Sequence, residues 1–335
     1  MRMTPEDARA LIDRAMQSVG YHADEAATIA DHLLDCELRG VTYGGLARAI
    51  SIAERTIRTG VSRTPIRVVK ETTVSASIDG ADHIGYVVAK RAMAVAIEKA
   101  AASGIAIVGA SNTWYTGMLS YYAEMAAARG LVSIIASNAS PWVAPYGATE
   151  GRFGTNPICV GFPSADEPVI WDIGTSAIMH AEVKLAEQLG EQLPAGVAFD
   201  SAGQATRDPT AALGGAFAAW GGHKGSGLGI VVQLLGALAG GPAIPGELAD
   251  FGMVVIAVRP DLLTSPEDFA RNVTAYAESV RRARPVPGGA PVRMPFDRSG
   301  AERRRRLAED AIDVADAVYA RLGEITKRDG AAPLR

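Results

Sequence analysis

Cysteine is nearly missing from the chain: 335 residues hold two, Cys36 and Cys159. They stand far apart and outside any Cys/His spacing that binds zinc, so a disulfide-stapled fold is excluded and no metal site is expected. Cys36 falls in a helical pattern and Cys159 in an apolar run. Both read as buried free thiols of a reducing compartment. Aromatics are scarce at 6%, so the core must be built from Ala, Val, Ile and Leu. Basic charge is not in excess, with a formal net charge of −4. That argues against a nucleic-acid partner, which wants a basic surface. The one basic run, Arg303–Arg306, lies between Glu302 and Glu309–Asp310 and reads as a solvated helix face. No apolar leader follows Met1. The uncharged stretch Gly225–Gly246 holds many glycines, Gln233 and Pro242, and reads as a buried helix over Leu228–Leu238 rather than a membrane span. A cytoplasmic chain with no membrane partner is expected.

Two nucleotide signatures are absent as well. No G-x-G-x-x-G joins a strand to a helix; Gly225-Ser226-Gly227-Leu228-Gly229 is its nearest echo. No P-loop is present, since Lys224 follows His223 rather than a glycine.

What is there alternates between helix and strand. Thr4-Pro5-Glu6-Asp7 is a helix start, with a capping Thr, a first-turn Pro and acids at the positive end of the dipole. Helices are expected at about Asp24–Leu38 and Leu46–Arg58, stopped by Gly40 and Gly60. Val74–Ile78 alternates as a strand before a turn at Asp79-Gly80. Ile84–Ala102, Met118–Ala128, Ala177–Leu189, Pro266–Arg282 and Ser299–Leu322 read as helices. Ile105–Val108, Leu131–Ala136, Pro157–Phe162, Pro168–Trp171 and Met253–Val258 read as strands. The alternation defines an α/β protein.

Five histidines carry the possible acid–base chemistry. His22 and His32 read as surface groups and His83 as a structural partner at a helix start. His180 precedes Ala181-Glu182, and a histidine near a carboxylate can be tuned for proton transfer. His223 precedes Lys224 in a glycine-rich loop, a setting that can hold phosphate. Local chemistry leaves both open.

Several segments taken together resemble one family. Gly154-Thr155-Asn156-Pro157, Trp171-Asp172-Ile173-Gly174-Thr175-Ser176, Asp200 through Asp208-Pro209, Gly221-Gly222-His223-Lys224-Gly225 and Val143-Ala144-Pro145-Tyr146-Gly147 follow the order and spacing of the malate/L-lactate dehydrogenase-type oxidoreductases. Within that family, Ala177-Ile178-Met179-His180-Ala181-Glu182 resembles the Δ1-piperideine-2-carboxylate and Δ1-pyrroline-2-carboxylate reductases. The resemblance implies a non-Rossmann α/β fold. Residues 1–115 with 285–335 would form a helical, substrate and dimerisation domain, and 116–284 a domain for NAD(P)H. It implies NADPH, or NADH, as cofactor, a small 2-imino or 2-oxo carboxylate as substrate, and a homodimer. Arg48 matches the arginine that holds the substrate carboxylate, a task suited to a planar guanidinium. His180 and Ala181 match substrate-contacting positions, and Glu182 an acid that orients the proton donor. Tyr115, Thr116, Gly117, Met118 and Leu119 match cofactor contacts, as do Asp172, Ile173 and Gly174, His223 and Lys224, and Arg293, Met294 and Pro295.

The departures sit at the acid–base position. Where the family reads G-x-D-S-H-G-x-x-R, this chain has Gly40-Val41-Thr42-Tyr43-Gly44-Gly45-Leu46-Ala47-Arg48. The proton-donating histidine is thereby Gly44, and its serine partner Tyr43. A second family histidine is Tyr115 here. Three accounts follow: Tyr43 donates the proton with its pKa lowered by neighbours, the substrate arrives as a protonated iminium, or catalysis is lost and binding kept. A 2-hydroxy-acid dehydrogenase with altered acid–base residues is the alternative enzyme.

Overall fold

A computed structural model describes residues 1–327. The chain opens with strand β1 (Arg2–Met3) and helices α1 (Pro5–Ser18), α2 (Ala23–Leu38) and α3 (Leu46–Thr59). Thr4 caps α1 as its sequence predicts, accepting the Asp7 N–H at 3.1 Å with Pro5 in the first turn. Leu11, Ile12, Ile29, Leu33, Leu46 and Ile52 from the three helices are buried together.

A seven-stranded sheet follows. Its strands are β2 (Arg67–Glu71), β3 (Ser75–Ile84), β4 (Ile105–Trp114), β5 (Val132–Ser137), β6 (Ile158–Phe162), β7 (Val169–Ile173) and β10 (Phe251–Val258). The spatial order is β2-β3-β4-β10-β5-β6-β7. Only β3 and β4 run parallel, joined by α4 (Gly85–Ser103); every other neighbouring pair is antiparallel. A doubly wound parallel sheet is thus ruled out, which explains the missing glycine fingerprint. The boundary expected at residue 115 falls just past β4, between strands of this one sheet. Val108, Ile135, Cys159, Ile170 and Val255 point to one face, where α4 and α5 (Ser120–Ala127) cover them. Alanines dominate the covering side of α4, so helix and sheet approach closely without aromatic bulk. The remaining elements are α6 (His180–Leu189), the pair β8 (Ala198–Phe199) and β9 (Ala216–Phe217) around α7 (Pro209–Leu213), α8 (His223–Leu238), α9 (Pro266–Arg281), α10 (Asp297–Ala308), β11 (Ile312–Asp313) and α11 (Asp316–Thr326).

Three expectations are corrected. Asp79-Gly80 does not end its strand: β3 continues to Ile84 through an irregularity, with Ala81 and Asp82 at positive φ. Asp79 accepts from Ala81 N–H at 2.9 Å and Asn112 Nδ2 at 2.8 Å, so the turn chemistry builds a bulge instead. The helix read over Ser299–Leu322 breaks after Ala308. Ile312 instead pairs with Met3 and buries itself against the N-terminal helices, a tertiary gain that outweighs helix continuity. Residues 328–335 of the expected 285–335 segment lie outside the described residues. Arg303–Arg306 lies on a helix face as expected, with Arg304 and Arg305 exposed, while Arg303 reaches Asp35 (3.0 Å) and the half-buried Arg306 donates to the Glu37 carbonyl (2.7 Å). His32 is no surface group: it is buried, its Nε2 accepts the Met118 N–H at 2.9 Å, and burial lowers its pKa to about 3. The uncharged stretch from Gly225 enters α8, and among the described residues no helix is long and apolar enough to cross a membrane.

Glu37 sets the entry of α3. Near the C-terminus of α2, its buried carboxyl accepts the Leu46 N–H at 3.0 Å, and a side chain on Gly45 would overlap it. Burial raises its pKa to about 7, from 4.5. A raised carboxyl favours the folded state below about pH 4.5, and that contribution is lost as pH climbs to about 7. Glu37→Gln keeps an acceptor and removes the titration. Its unfolding midpoint should gain on wild type by at least about 2 °C between pH 5 and 8. Parallel pH profiles in differential scanning fluorimetry would show that Glu37 does not titrate in this window.

Candidate active site

The site is a cavity of about 440 Å³ between the N-terminal helices and the sheet. The 3-10 turn Thr42–Gly44 and the first turn of α3 supply Tyr43 and Arg48. The end of β4 supplies Tyr115 through Met118, β7 and its exit supply Asp172 and Gly174, and the start of α6 supplies His180 and Ala181. Pro295 closes the cavity from the C-terminal connector. Residues separated by more than 250 positions in sequence are thereby brought together.

Arg48 is 9% exposed, and its guanidinium lies over the Tyr115 ring at 4.2 Å. Tyr115 holds φ +51, a conformation that non-glycine residues adopt at a cost and that persists where the surroundings enforce it. Arg48 Nη1 is buried without a hydrogen-bond partner. So is Nδ1 of His180, a ring 7% exposed and stacked on Trp142 at 4.0 Å. Burial, with the charges of Arg48 and Lys184 behind it, drives the His180 pKa well below its ordinary value and keeps the ring neutral. Buried polar atoms left unpaired cost free energy, and both side chains line the cavity, which suits it to a polar guest.

The acid–base position departs from expectation. Tyr43 does not have a lowered pKa. Burial raises it, the negative charge of Glu182 adds to the rise, and Arg48 opposes it only weakly. The phenol therefore stays protonated across the neutral range. Glu182 spends one oxygen on the Met179 N–H at 2.7 Å, capping α6. Asp172 accepts the Ser120 N–H at 2.7 Å, and burial lifts its pKa to about 6. Gly44 has room for a side chain, its nearest neighbours at 3.4 Å or beyond.

Not every expected residue lines the cavity. Leu119 is fully buried behind it, and Ile173 alternates away from it on β7. His223 and Lys224 stand exposed in the first turn of α8, His223 edge-on to Tyr146 at 6.1 Å, and neither lines the cavity. Met294 is buried and Arg293 lines a second recess of about 910 Å³. Arg298 lines both spaces. Residues missed in the sequence are Asn138, Trp142, Phe251 and Arg298. Ser137-Asn138, a polar pair closing the apolar run of β5, was the available signal; Trp142 adjoins the quoted Val143–Gly147 segment by one position.

A cavity walled by a buried arginine, at the junction of the N-terminal helices and a mixed, non-Rossmann α/β sheet, defines the class. The malate/L-lactate dehydrogenase family profile matches residues 3–323, and the chain belongs to that family. It is 32% identical over 337 residues to the malate/(S)-sulfolactate dehydrogenase of Methanothermus fervidus, covering 94% of this chain and 98% of the relative. The crystal structure of a dehydrogenase from Sinorhizobium meliloti superposes with a TM-score of 0.90 at 32% identity, over 97% of this chain and 98% of that one. The Δ1-piperideine-2-carboxylate reductase of Pseudomonas syringae pv. tomato superposes with a TM-score of 0.81 at 29% identity, over 97% and 99%.

Arg48→Lys tests the anion site. It keeps the charge and loses the planar fork and the stack on Tyr115. KM for a carboxylate substrate should rise by roughly tenfold or more, the scale of a charged hydrogen bond, with kcat changed less. An unaltered KM in steady-state kinetics would remove Arg48 from the site.

Proposed function

We propose that the chain is an NAD(P)H-dependent reductase of a small 2-oxo or 2-imino carboxylate, the ketimine-reductase reading of its family. The carrying observation is that Arg48 and His180, each with a buried nitrogen that lacks a hydrogen-bond partner, line one cavity. A carboxylate supplies the acceptors they lack. Ala181 packs beside them and shapes the floor.

The residues fit a nicotinamide dinucleotide. Tyr115–Met118, Asp172, Gly174 and Pro295 line the cavity that would take the nicotinamide end. The adjoining recess, lined by seven arginines against four carboxylates, would take a polyanion. Arg293 and Arg298 make no ion pair among the described residues, which supports NADPH over NADH through the extra phosphate. Lys224 would reach a phosphate only if the dinucleotide extends to the first turn of α8. When bound, the reduced nicotinamide supplies the hydride. Arg48 and His180 orient the acid, and Tyr43 gives its hydroxyl proton to the oxygen or nitrogen of the reduced double bond. Glu182, facing Tyr43 electrostatically, holds that proton on the phenol until it is needed. Cys36, Tyr86 and Ile170 keep water from the reacting carbon. A phenol held protonated favours reduction over the hydroxy-acid dehydrogenase direction, which requires a base.

Assembly as a homodimer is supported by α8. Ile230, Val231, Leu234 and Leu238 form a stripe on one face, 46% to 69% exposed. Apolar faces of this kind are usually covered. Leu234→Lys should shift a dimer to monomer in analytical ultracentrifugation, whereas a wild type sedimenting as a monomer would end this reading. Both cysteines are free and buried, which supports a cytoplasmic setting.

The reaction is tested by NADPH and NADH oxidation against 2-oxo acids and cyclic imines. Tyr43→Phe keeps the ring and removes the proton. With a 2-oxo acid, kcat should fall by about a hundredfold or more, and with a preprotonated iminium much less. Equal loss on both substrates would assign Tyr43 to packing, and no oxidation with any acid would leave a binding protein.

A further inference from the structure

One wall of the cavity, Tyr115 to Met118, stands outside every helix and strand and takes its shape from side chains of four other elements. Two of its residues hold positive φ, Tyr115 at +51 and Gly117 at +75, so the segment does not keep this course by itself. At the start of α4, Gly85 lets the segment pass, since a Cβ there would lie 2.7 Å from the Tyr115 carbonyl oxygen. From α5, the Tyr122 hydroxyl donates to the Thr116 carbonyl at 2.9 Å. From β5, Ser137 Oγ accepts from the Thr116 hydroxyl at 3.1 Å. From α2, His32 Nε2 accepts the Met118 N–H at 2.9 Å.

His32 is the anchor that comes from the N-terminal helices; the other three belong to the sheet and the helices covering it. The ring itself does not line the cavity. One turn further along α2, on the same face, Cys36 does, and the next residue, Glu37, grips the start of α3, which carries Arg48. The Met118–His32 bond therefore ties this wall to the module that presents Arg48. The bond also fixes the state of the ring. Nε2 is the acceptor, so the imidazole is neutral with its proton on Nδ1. Around it stand the rings of Tyr86, Tyr121 and Tyr122, with centroids 4.5, 4.7 and 5.4 Å away. A second proton would break the bond to Met118 and bury a cation in this aromatic cage. A side chain on Gly117 would run into Tyr86 and His32, so the segment packs directly on the cage.

We propose that His32 is a positioning residue: a fixed, neutral acceptor that holds Tyr115–Met118 in the shape that receives the nicotinamide cofactor. This rests on reading that wall as a cofactor contact. Without the acceptor, the Met118 N–H faces a buried ring unpaired and other courses of the segment become populated. Cofactor affinity then falls by the fraction of molecules that keep the receptive shape.

The full chain is titrated with NADPH and NADH, with binding followed by nicotinamide fluorescence. His32→Phe keeps a buried ring and removes the acceptor, and should weaken the better-bound cofactor by about tenfold. His32→Gln returns an acceptor through Oε1 and should bind within about threefold of wild type. Ile29→Val trims the core one turn earlier in α2; it should lower the unfolding temperature yet leave affinity within about twofold. In 15N spectra of wild type, His32 Nε2 should stay unprotonated and Nδ1 protonated from about pH 5 to 8. Wild-type affinity in His32→Phe, no recovery in His32→Gln, an equal loss in Ile29→Val, or protonation of Nε2 in that range overturns the positioning role and leaves the reductase reading standing. If His32→Phe does not fold, the His32→Gln affinity and the 15N spectrum decide. Binding of neither cofactor by folded wild type overturns the reductase reading itself, and the role of His32 with it.

Discussion

The site depends on one buried guanidinium. Arg48 is held flat against Tyr115 and walled off from water, with Nη1 left open. A buried cation is tolerated when its surroundings fix it and a counter-charge arrives. Here the first condition is met by the fold, and the second would be met by the carboxylate of the proposed substrate. Its placement begins with Glu37, whose carboxyl grips the first N–H of α3 and sets the turn that carries Tyr43 and Arg48. The positive φ of Tyr115 serves the same end, turning the ring under the guanidinium.

That arrangement bears on Gly44, where the family resemblance implies a histidine. A Cβ at Gly44 would sit in ordinary contact with Val41 and Cys36. Tyr43 stands beside it under the influence of Glu182 and Asp172 as well as Arg48. Two carboxylates against one guanidinium in a dry setting hold the phenol in its acid form. The proton is therefore present on Tyr43 at neutral pH but held more tightly than on a free phenol. A neutral His180 suits the same picture, since it offers a hydrogen bond without a second positive charge.

The surface repeats the theme of uneven charge. Most arginines around the second recess are matched with carboxylates on α2, α10 or the β6–β7 turn, as in the pairs Arg39–Asp35 and Arg306–Glu302. Between the helices, Arg303 reaches Asp35 and Arg306 donates to the Glu37 carbonyl, and these contacts tie α10 to α2. Arg293 and Arg298 stand outside this pairing, on the side that opens toward the active site.

The sequence by itself determined the α/β class, the capped start of α1, most helix and strand positions, and the family segments around Asn156, Asp172 and His180. These rest on local rules: periodicity, caps and glycine stops act within a few residues. It did not reach the environments of individual side chains. His32 looks like any polar helical residue until Met118, more than eighty positions away, donates to it. Asp79-Gly80 has turn chemistry, yet pairing with β4 carries the strand past it. The direction of the Tyr43 shift, the unpartnered nitrogens of Arg48, His180 and Asn138, and the Trp142 stack are all products of burial by distant segments. Desolvation and hydrogen-bond satisfaction are properties of a completed enclosure, so only the tertiary structure could decide them.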